Sequence, residues 1–126
     1  MSNSTTLMQA RSHFAQAHAG VVQLRPIVKM AFGSGGVDEN GKPIPPDATV
    51  ATLNTELYRK DIESHTFTST TSVTFICVLT ADELNNTDLS EVALVDSNGS
   101  VVAIKTFKKK HKDNETEIMF EWTEKF

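Results

Sequence analysis

From Ser72 to Leu79 the chain reads Ser-Val-Thr-Phe-Ile-Cys-Val-Leu, so that Val73, Phe75, Cys77 and Leu79 alternate with Thr74, Ile76 and Val78. Successive side chains of a strand point to opposite faces, and a run that is largely apolar on both faces has to be covered on both. This segment therefore belongs in the middle of a sheet, and everything else must fit around a β-rich frame. Two further stretches share its period of two. Ser90–Asp96 joins the run from Ser100 to Phe107 through Ser97-Asn98-Gly99, the turn chemistry of a tight hairpin. Close to the C-terminus, Ile118, Phe120 and Trp122 share one face while Glu117, Met119 and Glu121 share the other, the pattern of a strand with one wet face. The intervening Lys108-Lys109-Lys110-His111-Lys112-Asp113-Asn114-Glu115 is expected to form a polar turn.

The front half has a different period. Leu7, Ala10, Phe14 and Ala17 recur at intervals of three and four, with Ser4 or Thr5 available as a cap and Gly20 as a stop, which predicts a helix over residues 5–18. Pro26 lacks a backbone donor, so the extended run after it is placed at Ile27–Phe32. From Gly33 to Asp47 the chain is rich in Gly, Asp, Asn and Pro and is expected to be a long loop, of the kind that usually carries function or motion. Val50, Leu53 and Leu57, preceded by Asp47 and Thr49 as caps, predict a second short helix over about residues 48–61. Ala81–Asn86 reads as a helical turn or loop. The expected fold is α+β: two helices packed on a mainly antiparallel sheet or small sandwich. It forms one domain over residues 1–126, with its β-rich part at 62–126.

Composition narrows the function classes. A chain of 126 residues can bury one modest core, and domains of this size are often completed by association. A formal charge of −4 and a pI near 5.5 give no global attraction to nucleic acid or to an anionic membrane. Cys77 is the sole cysteine and lies in an apolar run, so it reads as a small buried hydrophobe with a raised pKa and poor reactivity. The first twenty residues lack the basic, apolar and small-residue succession of a secretory signal, and no apolar run approaches the roughly 20 residues needed to cross a bilayer. Synthesis in a reducing cytosol is expected, and the Asn-x-Ser/Thr triplets at Asn3, Asn85, Asn98 and Asn114 are then coincidental.

Catalytic and ligating patterns are weak. His13 and His18, five apart, diverge around a helix axis, and no tight His/Cys cluster suggests a metal. Asp38-Glu39-Asn40-Gly41 and Asp96-Ser97-Asn98-Gly99 resemble the start of a calcium loop but lack its alternating third ligand and distal glutamate, so both are expected to be ordinary turns. Gly33-Ser34-Gly35-Gly36 has the freedom to wrap a phosphate, yet no Lys-Ser/Thr follows it, and a flexible loop is the better reading. No nucleophile elbow is present, and acidic residues such as Asp82, Glu83, Asp88 and Glu91 are expected to be solvated. The chain is expected to be no enzyme, with no cofactor, no metal and no small-molecule substrate. Lys108, Lys109, Lys110 and Lys112 form the one basic patch; without interleaved aromatics it suits an acidic protein surface better than nucleic acid.

Several motifs occur together in one order. A helix ending at Ala19-Gly20 is followed by Ile27–Phe32 closing on Gly33, then by the Asp/Asn/Gly/Pro loop, then by Leu53, Glu56, Leu57, Arg59 and Lys60, and finally by Leu89-Ser90-Glu91-Val92-Ala93-Leu94-Val95-Asp96 running into Asn98-Gly99. In that order they resemble the opening domain of the phage tail-collar fibre proteins, with Ala93 where that family usually has glycine and Val95 where it has an aromatic. The resemblance implies a virion or prophage structural protein made in the bacterial host cytoplasm and carried on the tail. It implies an attachment module near the baseplate, with a tail or baseplate protein as partner and self-association as a trimer. Fibres of this type continue into a shaft and a receptor-binding tip, which a chain of this length is not expected to supply, so attachment and not host recognition is carried over. The candidate interaction residues are Phe32, Gly33, Gly35, Gly36 and Asp38 on the loop and Lys108, Lys109, Lys110 and Lys112 on the basic patch. The alternative is a small β-rich module that binds carbohydrate or a receptor, for which Phe32, Tyr58 and Phe126 are the aromatics available for exposure.

Overall fold

Eight strands and one helix make up the fold, seen in a computed structural model that describes residues 3–126. In chain order they are β1 (Asn3–Thr6), α1 (Met8–His18), β2 (Ile27–Gly33), β3 (Glu56–Asp61), β4 (Ser64–Ser69), β5 (Ser72–Leu79), β6 (Thr87–Asp96), β7 (Val101–Lys112) and β8 (Ile118–Lys125). All pairings are antiparallel and fall into two sheets, one of five strands in the order β1-β7-β6-β2-β3 and one of three in the order β4-β5-β8. The protein is thus mainly β, and the expected α+β fold with two helices is corrected.

The second helix is the element that fails. Residues 56–61 are strand β3, paired along β2 from Lys29↔Asp61 to Phe32↔Tyr58, and Leu57 lies exposed on it. Of the three apolar residues that suggested a helix, only Leu53 is buried. Asp47 does act as a cap, its Oδ1 accepting hydrogen bonds from the Thr49 N–H at 2.9 Å and hydroxyl at 2.7 Å, but the turn it closes does not propagate. One costly helical nucleus competes here with a ladder that satisfies the open edge of β2, and the ladder prevails.

The first helix begins later than its periodicity suggests. Ser4 and Thr5 pair with Lys105 and Ile104 of β7 and are no caps; Leu7 takes the N-cap position without a side-chain cap bond. The C-terminal stop at Gly20 is a Schellman turn: Gly20 has φ +77°, and the N–H groups of Gly20 and Val21 donate to Ala17 O at 3.1 Å and Gln16 O at 3.0 Å. The His13 Nε2 accepts the Arg25 N–H at 3.1 Å, so this histidine satisfies a neighbouring chain segment and does not pair with His18.

The main core lies between the sheets. Met30, Phe32, Val92, Leu94 and Val102 meet Val73, Phe75, Cys77, Leu79 and Trp122, with Ala10 of α1 against one end. Full burial of each large apolar side chain contributes about 1.5–3 kcal/mol. Ala31, Ala93, Val95 and Ile104 point to the other side of the five-stranded sheet, where Leu7 and Leu53 cover them in a second cluster. β6 is buried on both faces for this reason. β5 runs between β4 and β8, and its thiol Cys77 is pushed by burial up to about 11.

The β6–β7 hairpin turns as its Asn-Gly pair predicts, with Gly99 at φ +82° and the Asp96 Oδ1 accepting the N–H groups of Asn98 at 2.9 Å and Ser100 at 3.0 Å. The other oxygen of Asp96 accepts from Arg25 Nε at 2.9 Å. Burial alone would raise the pKa of this carboxyl, but Arg25 and the two N–H groups outweigh it and hold it below the ordinary value.

A polar clasp closes one end of the sandwich. Tyr58 and Lys60 of β3 both reach Glu83 in the β5–β6 turn. Lys60 Nζ donates to Glu83 Oε1 and to Val78 O, each at 2.6 Å, the Tyr58 hydroxyl donates to Glu83 Oε2, and Thr80 N–H donates to Glu83 Oε1 at 2.9 Å. Burial pushes the Glu83 carboxyl up, but these donors together hold it down at about 2, from an ordinary 4.5. A carboxyl depressed in the folded state stabilises fully above its unfolded pKa and loses that stabilisation as the pH falls through the folded one. The difference in urea midpoint between wild type and Glu83→Gln is therefore expected to be constant near neutrality and to shrink between about pH 4.5 and about pH 2. A gap that stays unchanged across that window would show that the clasp carries no proton-linked stability.

Candidate functional site

The stretches that stand out in the sequence meet at one side chain. Glu91 of β6 shares a face with Ala93 and Val95 and is almost fully buried on the outer side of the five-stranded sheet. Its Oε2 accepts the N–H of Gly35 at 2.8 Å and of Thr55 at 2.7 Å, and its Oε1 accepts the N–H of Asn54 at 2.9 Å. Three main-chain donors from both ends of the long loop thus converge on one carboxylate. Next to it the Ser90 hydroxyl accepts the Gly36 N–H at 2.8 Å, and Asn54 Nδ2 donates back to Gly35 O at 3.1 Å.

This convergence explains the glycines. A Cβ on Gly33 would lie 2.3 Å from Thr55 O and 2.5 Å from Glu91 Oε2; one on Gly36 would lie 2.0 Å from Ser90 O; one on Gly35 would lie 2.8 Å from the Asn54 Cβ. These residues let two backbones approach the same carboxylate. Gly33-Ser34-Gly35-Gly36 does cradle an anion, and that anion is the chain's own.

Between its two anchored ends the loop has a small hairpin of its own. Val37 bridges Pro43, Asp38 Oδ1 accepts the N–H groups of Asn40 and Lys42, each at 2.9 Å, and Gly41 turns at φ +76°. Asp38 is therefore the hinge of a tight turn. Among the described residues no group of three or more His, Cys, Asp or Glu could hold a metal ion.

The returning part of the loop borders a cleft of about 430 Å³, walled by Ile44, Pro46, Val50 and Leu53 and floored by Glu91 and Thr106. Thr106 Oγ1 donates to Ile44 O at 2.8 Å and ties this wall to β7. The arrangement is apolar at the rim with its polar groups paired, which suits contact with a protein side chain better than bond-making chemistry.

The other candidates are spread apart. Phe32 is wholly buried, its ring centroid 4.9 Å from that of Phe120, and contributes to the core and to no surface. Lys112 is wholly buried too, its Nζ donating to Asp113 O at 2.7 Å and Asn85 Oδ1 at 3.1 Å. Lys108, Lys109 and Lys110 are exposed, but they do not sit in a turn as expected. They lie on β7 where its register with β6 slips, from Leu89↔Lys110 to Glu91↔Thr106, so β7 bulges outward. β1 pairs only as far as Thr106, so this half of β7 has an open outer edge. Lysines and a bulge on an open edge are devices that prevent strand-to-strand sticking. His111, beside them, bonds Asp88 through Nδ1 at 2.8 Å.

Glu91, Ser90, Asn54 and Thr55 were not singled out as site residues by sequence reasoning. One signal was available: Glu91 is the lone acid inside an apolar strand pattern, in register with residues that must be buried. No helix among the described residues is long and apolar enough to cross a membrane. In comparisons with known proteins the chain matches no family model and no curated protein, so what the site does has to be argued from its own residues.

Proposed function

We propose that this chain is a structural attachment module of the phage tail-collar fibre type, joining a fibre or an adaptor to a tail or baseplate protein. One observation supports this above the others. Gly33–Gly36, Asn54–Thr55 and Ser90–Glu91 lie in the three stretches on which the resemblance rests, and all three meet at the Glu91 carboxylate. Residues of a catalytic family would be expected to converge on a reacting centre; these converge on a structural lock that fixes the shape of a loop. A loop held in one conformation loses little entropy when a partner binds it, which is what a permanent joint in an assembly requires. The cleft beside the lock and the cationic bulge of β7 are the surfaces offered to that partner, the latter to an acidic one.

The reading is tested on particles. After induction of the host, the chain is expected to sediment with intact virions, and an antibody against it is expected to label the tail end that bears the fibres in negative-stain images. A chain found only in the particle-free supernatant, with unlabelled tails, would overturn the proposal.

A further inference from the structure

Five strand edges are open in this fold, and four of them are guarded. β3 carries Glu56, Arg59, Lys60 and Asp61, with ion pairs from Arg59 to Glu56 at 2.8 Å and from Asp61 to Lys29 at 3.0 Å. β8 carries Glu121, Glu124 and Lys125. The far half of β7 has its lysines and its bulge, and β1 is only four residues long. Charge, bulging and brevity are the ordinary means of keeping edges single.

β4 is the exception. Its sequence is Ser-His-Thr-Phe-Thr-Ser, every residue of it is exposed, and no Asp, Glu, Lys or Arg occurs from Ser64 to Ala81. Its inner face is also left uncovered. Residues directly opposite in an antiparallel pair share a face; His65 pairs with Phe75 and Phe67 with Val73, and both partners are buried in the core between the sheets. Phe67 therefore points to the core side of the small sheet, yet it is 71% exposed because the five-stranded sheet does not extend over β4. Only the His65 ring packs on it, edge-on with centroids 5.9 Å apart.

We propose that β4 is a self-association edge, covered by β4 of a second copy of this chain in antiparallel pairing about a two-fold axis near Phe67. Charge selects this occupant. A partner edge bearing ions would bring them against an uncharged hydroxyl-rich strand with nothing to pair them, whereas β4 against itself brings no charges together. A two-fold perpendicular to the sheet keeps both inner faces on one side, so the two Phe67 rings and the two His65 rings merge into one apolar patch and the two small sheets become one of six strands. The slip in register between Phe67 and Ser69 ends the regular ladder, and the isologous contact uses the edge up, so the pair closes and does not grow into a filament. The inference does not rest on the fibre reading, and its copy number of two differs from the three which that resemblance implies.

Light scattering and sedimentation over a wide concentration range test it. The mass is expected to rise from one chain to two, and Phe67→Lys is expected to weaken the association at least about tenfold, equivalent to about 1.4 kcal/mol. Because Phe67 is exposed, that variant should keep the wild-type melting temperature. Oxidation of Phe67→Cys is expected to give a covalent dimer, whereas Leu57→Cys on the guarded β3 edge stays single; Cys77 is buried and does not interfere. A single-chain mass throughout, a three-chain mass, or a two-chain mass indifferent to Phe67→Lys would each overturn the proposal. Absence of the chain from virions would overturn the fibre reading and leave this one standing.

Discussion

Replacing Glu91 by alanine is expected to lower the free energy of unfolding by about 3–5 kcal/mol, a large share of the 5–15 kcal/mol typical of a domain. The carboxylate accepts from Gly35, Asn54 and Thr55, and hydrogen bonds to a charged group contribute about 1.5–3 kcal/mol each, so removing it strands three donors at once. Glu91→Gln should lose about half as much. Its amide oxygen can still serve the two donors now held by Oε2, while its NH₂ group opposes the Asn54 N–H in place of an acceptor. Urea unfolding of the three proteins checks the order. A Glu91→Ala protein within about 1 kcal/mol of wild type would show that the loop is not locked by this group.

Gly36→Ala is the second large effect. The added methyl would stand 2.0 Å from Ser90 O and 2.7 Å from Ser90 C, atoms of a buried strand that has no room to withdraw. Either β6 or the loop must shift, and the bond from Gly36 N–H to the Ser90 hydroxyl is lost with it. A cost of about 3 kcal/mol is expected, at the upper end for overpacking. Gly41→Ala is the control: its Cβ meets nothing within 4 Å, and only its φ of +76° opposes the change, at about 1–2 kcal/mol. Thermal melts should rank Gly36→Ala well below Gly41→Ala, which lies below wild type. Equal losses at the two positions would mean that backbone strain, and not close approach, accounts for the glycine at position 36.

The contrast between these residues shows what could be read from the chain. β5, the β6–β7 hairpin and β8 were legible because a buried face imposes a period of two directly on the sequence, and because an Asn-Gly turn is a local event. β4 was not: its identity comes from hydrogen bonds to β5, and its six residues include one apolar side chain. Residues 48–61 misled because Val50, Leu53 and Leu57 have helical spacing by coincidence, and the open edge of β2 decided the matter from outside the segment. Lys108–Lys110 read as a turn because charge clusters usually are turns; nothing local reveals that β1 stops at Thr106 and leaves an edge to be guarded. The lock itself was half visible. Its glycines were conspicuous, but the carboxylate they approach lies 56 residues from Gly35 and 36 from Thr55, and its donors are main-chain N–H groups that any residue type supplies.

That the same carboxylate holds both ends of the loop has a consequence for how such a protein can vary. A segment clamped at its two feet behaves as a closed ring whose contents are isolated from the body, and lengthening a flexible ring costs only about 0.6 kcal/mol per doubling. Val37 to Thr52 is in that position, a cassette whose length and sequence can be exchanged while Glu91 keeps the frame in register. New surfaces can be tried there without re-solving the fold.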